Sequence, residues 1–325
     1  MVIKGPSRLT PIDWRTLSVE RVAPLYTTEI ERWASVLEWD TAKDWEEVEK
    51  GRQLGTVAGI VIINETGAIA GWCYYLVHKR ALQIGSFIAS SDAVAQAMID
   101  AVLHEENRAA VDTVTLFAFA DTPNLAAALR SRGLSVDRYW YLGRELQRVA
   151  PPRLPDVRKW RVDDVQATAQ LLARSYEARD ESRPFAPRGL AEEWIEYVQQ
   201  LTTGTGCGRL MTDASVCVPG GPNRLLAVGL VTRIAEGTSH LVQLAVDPQM
   251  RGRHLGAQLL ENLCSAANLA GCSRMTLFVG GRNSRARSLY ESHRFENMAS
   301  FIAAGSLQPQ RSTSVAPGNA VGTRR

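Results

Sequence analysis

Cysteine is sparse in this chain: Cys73, Cys207, Cys217, Cys264 and Cys272 are the only five in 325 residues, and no two share the short spacing of a redox or zinc motif. An odd, unpaired set argues against a disulfide framework and for reduced thiols, as in a cytoplasmic protein. The five histidines are scattered as well, without H-x-x-x-H spacing, so no metal is expected. Long hydrophobic runs are missing. The longest, near 57–63 and 70–77, are strand-length and far too short to cross a bilayer, so no membrane partner is expected. Residues 1–9 lack the apolar stretch of an export signal. Nor does one charge dominate: 37 Lys and Arg against 34 Asp and Glu leave +3, which gives no bulk electrostatic reason to bind nucleic acid. The apolar share of 45% and charged share of 22% are those of a globular protein. At this length two domains are expected.

What is present concentrates between Leu241 and Phe295. An apolar segment, LVQLAVDP over 241–248, runs into RGRHLGA over 251–257 and then QLLENL over 258–263. A strand feeding a helix through small residues leaves main-chain N–H groups unpaired at the positive end of the helix dipole, a site suited to phosphate oxygens. Arg251 and Arg253 add charge beside it. A P-loop would need Gly-Lys-Ser/Thr, which does not follow here. A Rossmann turn would need three glycines and an acidic residue on the next strand, whereas this turn has Gly252 and Gly256 and residues 274–279 carry no carboxylate.

The turn resembles the pyrophosphate loop of the GNAT N-acetyltransferase superfamily, Gln/Arg-x-x-Gly-x-Gly/Ala after a strand ending Val-x-Pro. Arg251 and Gly256 match its first position and last glycine, and Leu244, Val246 and Pro248 match the lead-in strand. A second landmark follows at the family's distance: NSRARSLYE over 283–291 and then Phe295, similar to Asn-x-x-Ala-x-x-Leu-Tyr-Glu-x-x-Gly-Phe. Two departures stand out. His254 replaces the middle glycine and is tolerable if its φ stays negative; Arg294 replaces the glycine before the Phe, where a left-handed cap is usual.

The resemblance implies acetyl-CoA as co-substrate and a small-molecule or peptide amine as acceptor. It assigns the diphosphate to Arg251, Gly252, Arg253, His254, Leu255, Gly256 and Ala257, the pantetheine arm to the exposed backbone of Leu244 and Val246, and further amide contacts to Asn283. It makes the Leu244 N–H the oxyanion donor and Tyr290 the acid that protonates the departing thiolate. Arg287 is expected to face solvent rather than a phosphate. No general base stands out: the lead-in strand offers Gln243, while Glu236 and His240 flank its start and read as ordinary hairpin residues. The charged segment 176–183 lies where the family shapes its acceptor site. Two other functions fit the same residues, a non-catalytic acyl-CoA sensor or scaffold and an acyltransferase for a longer chain.

The expected fold is α/β (α+β): two tandem GNAT-like domains, each a mixed, mostly antiparallel sheet flanked by helices. Three prolines within 151–155 mark the linker, giving domains at 1–150 and 151–304, with a disordered tail over 305–325 that is poor in large apolar residues. In the second half strands are expected near 156–161, 208–216, 225–234, 239–246, 274–279 and 297–303, and helices over 162–178, 189–201, 256–270 and 283–293. The first half repeats this order, with Trp14 echoing Trp160 and Trp45 echoing Trp194. Its counterpart of the loop, residues 88–92, has no glycine or arginine; Ser90, Ser91 and Asp92 read as helix caps, so this half is a degenerate copy with a structural or acceptor-shaping role. Six of the eight tryptophans lie in it, where core and interface packing is the expected role.

Overall fold

The computed structural model of the chain describes residues 9–78, 80–104, 111–122, 124–176, 185–186, 189–204 and 207–307. The same succession of elements occurs twice. In the first half, β1 (Pro11–Asp13) leads through a turn of 3-10 helix into α1 (Val19–Leu37) and α2 (Ala42–Gln53). Then come β2 (Ala58–Ile63), β3 (Ile69–His78), β4 (Ala81–Ala89), α3 (Asp92–Val102), β5 (Thr113–Phe119), α4 (Leu125–Ser131) and β6 (Ser135–Glu145). In the second half, β7 (Arg158–Lys159) leads into α5 (Val165–Tyr176) and α6 (Ala191–Thr203). There follow β8 (Arg209–Leu210), β9 (Val216–Pro219), β10 (Leu225–Ala235), β11 (Thr238–Val246), α7 (Leu255–Leu269), β12 (Arg274–Gly280), α8 (Ser284–Ser292) and β13 (Glu296–Leu307). Trp14 and Trp160 each follow the opening strand, and both are buried with Trp45 and Trp194. Each of the first two satisfies its indole N–H, Trp14 on the Val57 carbonyl and Trp160 on Thr168 Oγ1.

The described strands form one mixed, mostly antiparallel sheet in the order β1-β2-β3-β4-β5-β13-β6-β12-β11-β10-β9-β7, with β8 beside β10. Only β4·β5 and β11·β12 are parallel. The halves exchange their last strands. β13 pairs Phe301–Leu307 with Phe119–Thr113 of β5, while β6 pairs Glu145–Tyr139 with Arg274–Gly280 of β12. Where two separate sheets were expected, each half's sheet is therefore completed by the other's final strand.

Local corrections are small. The strand expected over 208–216 is interrupted into β8 and β9, and only two residues of 156–161 pair. β13 runs on through Gly305 to Leu307, three residues into the expected tail, because their backbone completes the ladder to β5. The rest of that tail lies outside the described residues.

Packing follows the helix faces. α7 places Leu255, Leu259, Leu260, Leu263 and Ala267 on one stripe against β9–β12. α3 and α4 cover the same side of the first half with Val94, Met98, Leu125 and Leu129. On the opposite side, α5 and α6 bring Leu171, Leu172, Trp194 and Val198 onto β10 and β11. Each such buried leucine contributes roughly 1.5–3 kcal/mol. At the seam, Trp39, Phe119, Tyr141 and Phe301 pack together, and the Tyr141 hydroxyl donates to the Leu37 carbonyl at 2.8 Å. No helix among the described residues is long and apolar enough to cross a membrane.

Candidate active site

A wedge opens between β11 and β12. Their parallel pairing covers only Thr238–Leu241 against Arg274–Leu277, although β11 runs to Val246 and β12 to Gly280. The divergence begins at a bulge: Leu241 opposes Val231 and Gln243 opposes Leu230, leaving Val242 as the extra residue. Beyond it the edge can be read from alternation. The Asp247 N–H donates to Leu226 of the β10 side, so Ala245 points that way too, and the main-chain groups of Leu244 and Val246 point into the wedge.

The loop after β11 closes one end. Asp247, buried and ion-paired at 3.4 Å to Arg174 and 3.3 Å to Arg224, accepts from the Gln249 N–H and fixes the turn. Gly252 has φ +80°, a conformation that only glycine holds without strain. The backbone at His254 has φ +58°, so the condition of a negative φ is not met and a side chain sits on a left-handed backbone at the glycine position of the loop. The N–H groups of residues 252–257 make no hydrogen bond among the described residues, and the first helical bond is Gln258 N–H to the His254 carbonyl at 3.1 Å. Those of Gly252 and 254–257 border a cavity of about 370 Å³ lined by Leu244, Val246, Arg251, Gly252, His254, Leu255, Gly256, Ala257, Asn283 and Tyr290. Arg251 also donates to the Ser175 carbonyl at 3.0 Å, which ties the loop to the end of α5. Arg253 is exposed and does not line the cavity, so its expected role is not supported by position. Arg285, missed from the sequence, does line it. The available signal was its place four residues before Leu289, on the face that carries Ala286 and Tyr290.

The helix α8 is fixed at both ends. Asn283 accepts from the Ala286 N–H at 3.1 Å, so one of its roles is the N-cap. At the other end Arg294 N–H bonds to Glu291 and Phe295 N–H to Tyr290, the paired bonds of a Schellman motif, with Arg294 at φ +64°. Here too a non-glycine residue holds the left-handed cap. The apolar contact that accompanies this motif is Phe295 against Tyr290, edge to face at 5.8 Å. The cap thereby sets the ring of Tyr290. Burial, with Tyr176 nearby, pushes its phenol well above the ordinary value. Its hydroxyl makes no hydrogen bond among the described residues. Arg287 faces away, bonded to Glu291 at 2.7 Å and lying over the Trp140 ring of β6 at 4.9 Å.

A second cavity of about 130 Å³ adjoins the first and shares Tyr176, Leu244, Asn283, Ala286 and Tyr290 with it. Its other walls include Tyr139, His240, Gln243 and Phe278, and no carboxylate among the described residues lines it. Gln243 is held between the hydroxyls of Tyr176 and Tyr197, each at 3.0 Å. His240 is buried against Trp39 and bonded to Thr276 at 2.9 Å; burial lowers its pKa to about 3, so it is neutral at pH 7. Cys207 is likewise pushed up to about 11 by burial. Glu236 is exposed at the hairpin between β10 and β11, away from both cavities. Of the charged segment 176–183, all but Tyr176 lies outside the described residues.

Residues 176–295 match the acetyltransferase (GNAT) family. The chain is 25% identical over 261 residues to a mycothiol acetyltransferase of Beutenbergia cavernae, covering 74% of this chain and 80% of that one. In fold it is similar to a GCN5-related N-acetyltransferase from Sphaerobacter thermophilus, with a TM-score of 0.61, 14% identity, and 93% and 96% of the two chains covered. It is also similar to a GCN5-related glucosamine N-acetyltransferase region of a fungal multi-domain GH3 β-N-acetylglucosaminidase, with a TM-score of 0.60 and 13% identity. That match covers 93% of this chain and 38% of the longer fungal one. The chain carries a GNAT acetyltransferase domain.

Proposed function

We propose that the protein is an acetyl-CoA-dependent N-acetyltransferase acting on a primary amine, with residues 151–304 as the catalytic domain and 1–150 as a degenerate copy. One observation carries this reading: the edge of β11 at Leu244 and Val246, without a strand partner on the β12 side among the described residues, faces Tyr290 across a wedge that ends at the N–H groups of Gly252 and 254–257, unpaired among the described residues. Those groups and Arg251 and Arg285 suit a diphosphate. The β11 edge suits an amide-bearing arm laid down as another strand. The similarity to a mycothiol acetyltransferase supports acetyl as the group moved.

In this mechanism the amine nitrogen attacks the thioester carbonyl carbon from the 130 Å³ side, and the Leu244 N–H bonds to the oxyanion. The C–S bond then breaks, and Tyr290 gives its proton to the thiolate. Among the described residues no carboxylate lines that cavity and His240 is neutral, so in this reading the amine's surplus proton passes to water. The first half keeps the scaffold with different contacts at the corresponding helix starts. Ser91 caps α3, and Asp92 and Asn124 hydrogen-bond to each other, tying the starts of α3 and α4 together where the starts of α7 and α8 flank a cavity. Incubating the full chain with acetyl-CoA and a panel of primary amines, with thiol release and acetylated products followed, tests the proposal. Tight CoA binding without acetylation of any amine would favour a sensor.

A further inference from the structure

A third cavity, of about 300 Å³, lies in the first half on the same side of the sheet as the 130 Å³ one, and no step of the proposed reaction uses it. Its walls include Tyr74, Gln83, Thr115, Phe117, Asp137 and Tyr139, from β3, β4, β5 and β6. Tyr139 also lines the 130 Å³ cavity, so the two are neighbours across one side chain. Phe117 continues the floor between them, with its ring 5.7 Å from Tyr139 and 5.1 Å from Phe278. This adjacency is a product of the strand exchange, which sets β6 directly against β12.

We infer that the acceptor site runs from the wedge across this aromatic floor into the first half, and that the acceptor is an elongated primary amine with an uncharged, hydrogen-bonding tail. The inference rests on the N-acetyltransferase reading. From β12 to β5 there are three strand spacings, about 14 Å, which sets the length of the tail. Gln83 and Thr115 offer neutral hydrogen-bonding groups beside the aromatic faces. Among the described residues no Lys, Arg or His lines the 300 Å³ cavity, and the carboxylate there, Asp137, is ion-paired to Arg282 at 2.5 Å. At the far end the Tyr74 phenol is pushed up to about 12, by burial first and by the nearby Asp44 and Glu29 carboxyls next. An anionic tail would sit beside Asp137 with no basic side chain among the described lining residues to offset it.

The test compares three acceptors with acetyl-CoA: ethanolamine, an amine-terminated oligo(ethylene glycol) of about 14 Å ending in a hydroxyl, and the same chain ending in a carboxylate. Two or three added neutral hydrogen bonds predict a kcat/KM at least about tenfold higher for the hydroxyl-ended chain than for ethanolamine. The carboxylate-ended chain is expected to lose that gain. Filling the groove with Gln83→Trp or Thr115→Trp should bring the ratio of long to short amine close to one, with CoA affinity and thermal melting confirming that the variants fold. Equal kcat/KM for the long and short amines in the wild type, or a ratio that neither filled variant moves, overturns the inference. So does a carboxylate-ended chain that performs as well as the hydroxyl-ended one. Acetylation without dependence on length would sink this inference alone, whereas CoA binding with no amine acetylated at all would sink the enzyme reading beneath it.

Discussion

Replacing Tyr290 with Phe removes one oxygen from the wedge and leaves its shape. The ring is buried, and its edge-to-face contact with Phe295 at 5.8 Å survives the change. Because the hydroxyl makes no hydrogen bond among the described residues, its loss leaves no partner unsatisfied, and folding stability is expected to hold within about 0.5 kcal/mol. CoA affinity should also hold within about twofold, since the diphosphate and pantetheine contacts lie on the loop and β11. Turnover should fall by roughly 10²–10⁴, the usual contribution of a placed acid, or about 3–5 kcal/mol of barrier. The loss should belong to kcat, read from initial rates of thiol release, with Kd followed by calorimetry. An aryl thioester, whose thiol leaves without needing a proton, should narrow the gap. The raised phenol further predicts no decline from this group below about pH 10 in the wild type. A Tyr290→Phe enzyme that retains kcat within threefold of wild type on acetyl-CoA would refute the proton donation.

Arg251→Ala and Arg285→Ala should each weaken CoA binding by about ten- to a hundredfold at low salt, whereas Arg253→Ala should change it by less than about threefold; titration calorimetry separates them. Arg294→Gly should raise stability by about 1 kcal/mol, because glycine holds φ +64° without a Cβ penalty, and a denaturant midpoint that falls instead would contradict the cap assignment. His240 takes up a proton near pH 3 when folded and near 6.5 when unfolded, so acidification favours the unfolded chain through that window. Stability should drop by up to about 1.4 kcal/mol per pH unit below 6.5 from this group, a slope that His240→Phe should remove in parallel denaturation curves. Residues 151–325 expressed alone should not fold, since β12 and β13 would both lose the strand between them, and solubility and circular dichroism of that fragment decide the matter.

Much of the second half is legible because its signals are local. Glycine and arginine between an apolar run and an amphipathic stretch announce a strand, an anion-binding turn and a helix, and the ends of β11 and α7 fall within a residue or two of that reading. The strand exchange has no such signature. Alternation tells which side of β6 or β13 is buried, but not which strand lies beside it, because that partner is set about 130 to 190 residues away in sequence. The roles of the arginines were hidden for a related reason. Arg251, Arg253, Arg285 and Arg287 look alike in a basic stretch, and only the phase of α8 and the tie from Arg251 to Ser175 sort those at the cavity from those outside it. The glycine-less left turns at His254 and Arg294 show tertiary context overriding local preference.

Interleaved final strands also bear on how such a chain can change over generations. A copy that keeps to its own sheet can be trimmed away once its chemistry is redundant. Here the excision of either copy would strip its neighbour of a central rung, so the backbone of each half is constrained by the other. Whatever each copy does, the retention of both architectures follows in this molecule from a single topological commitment.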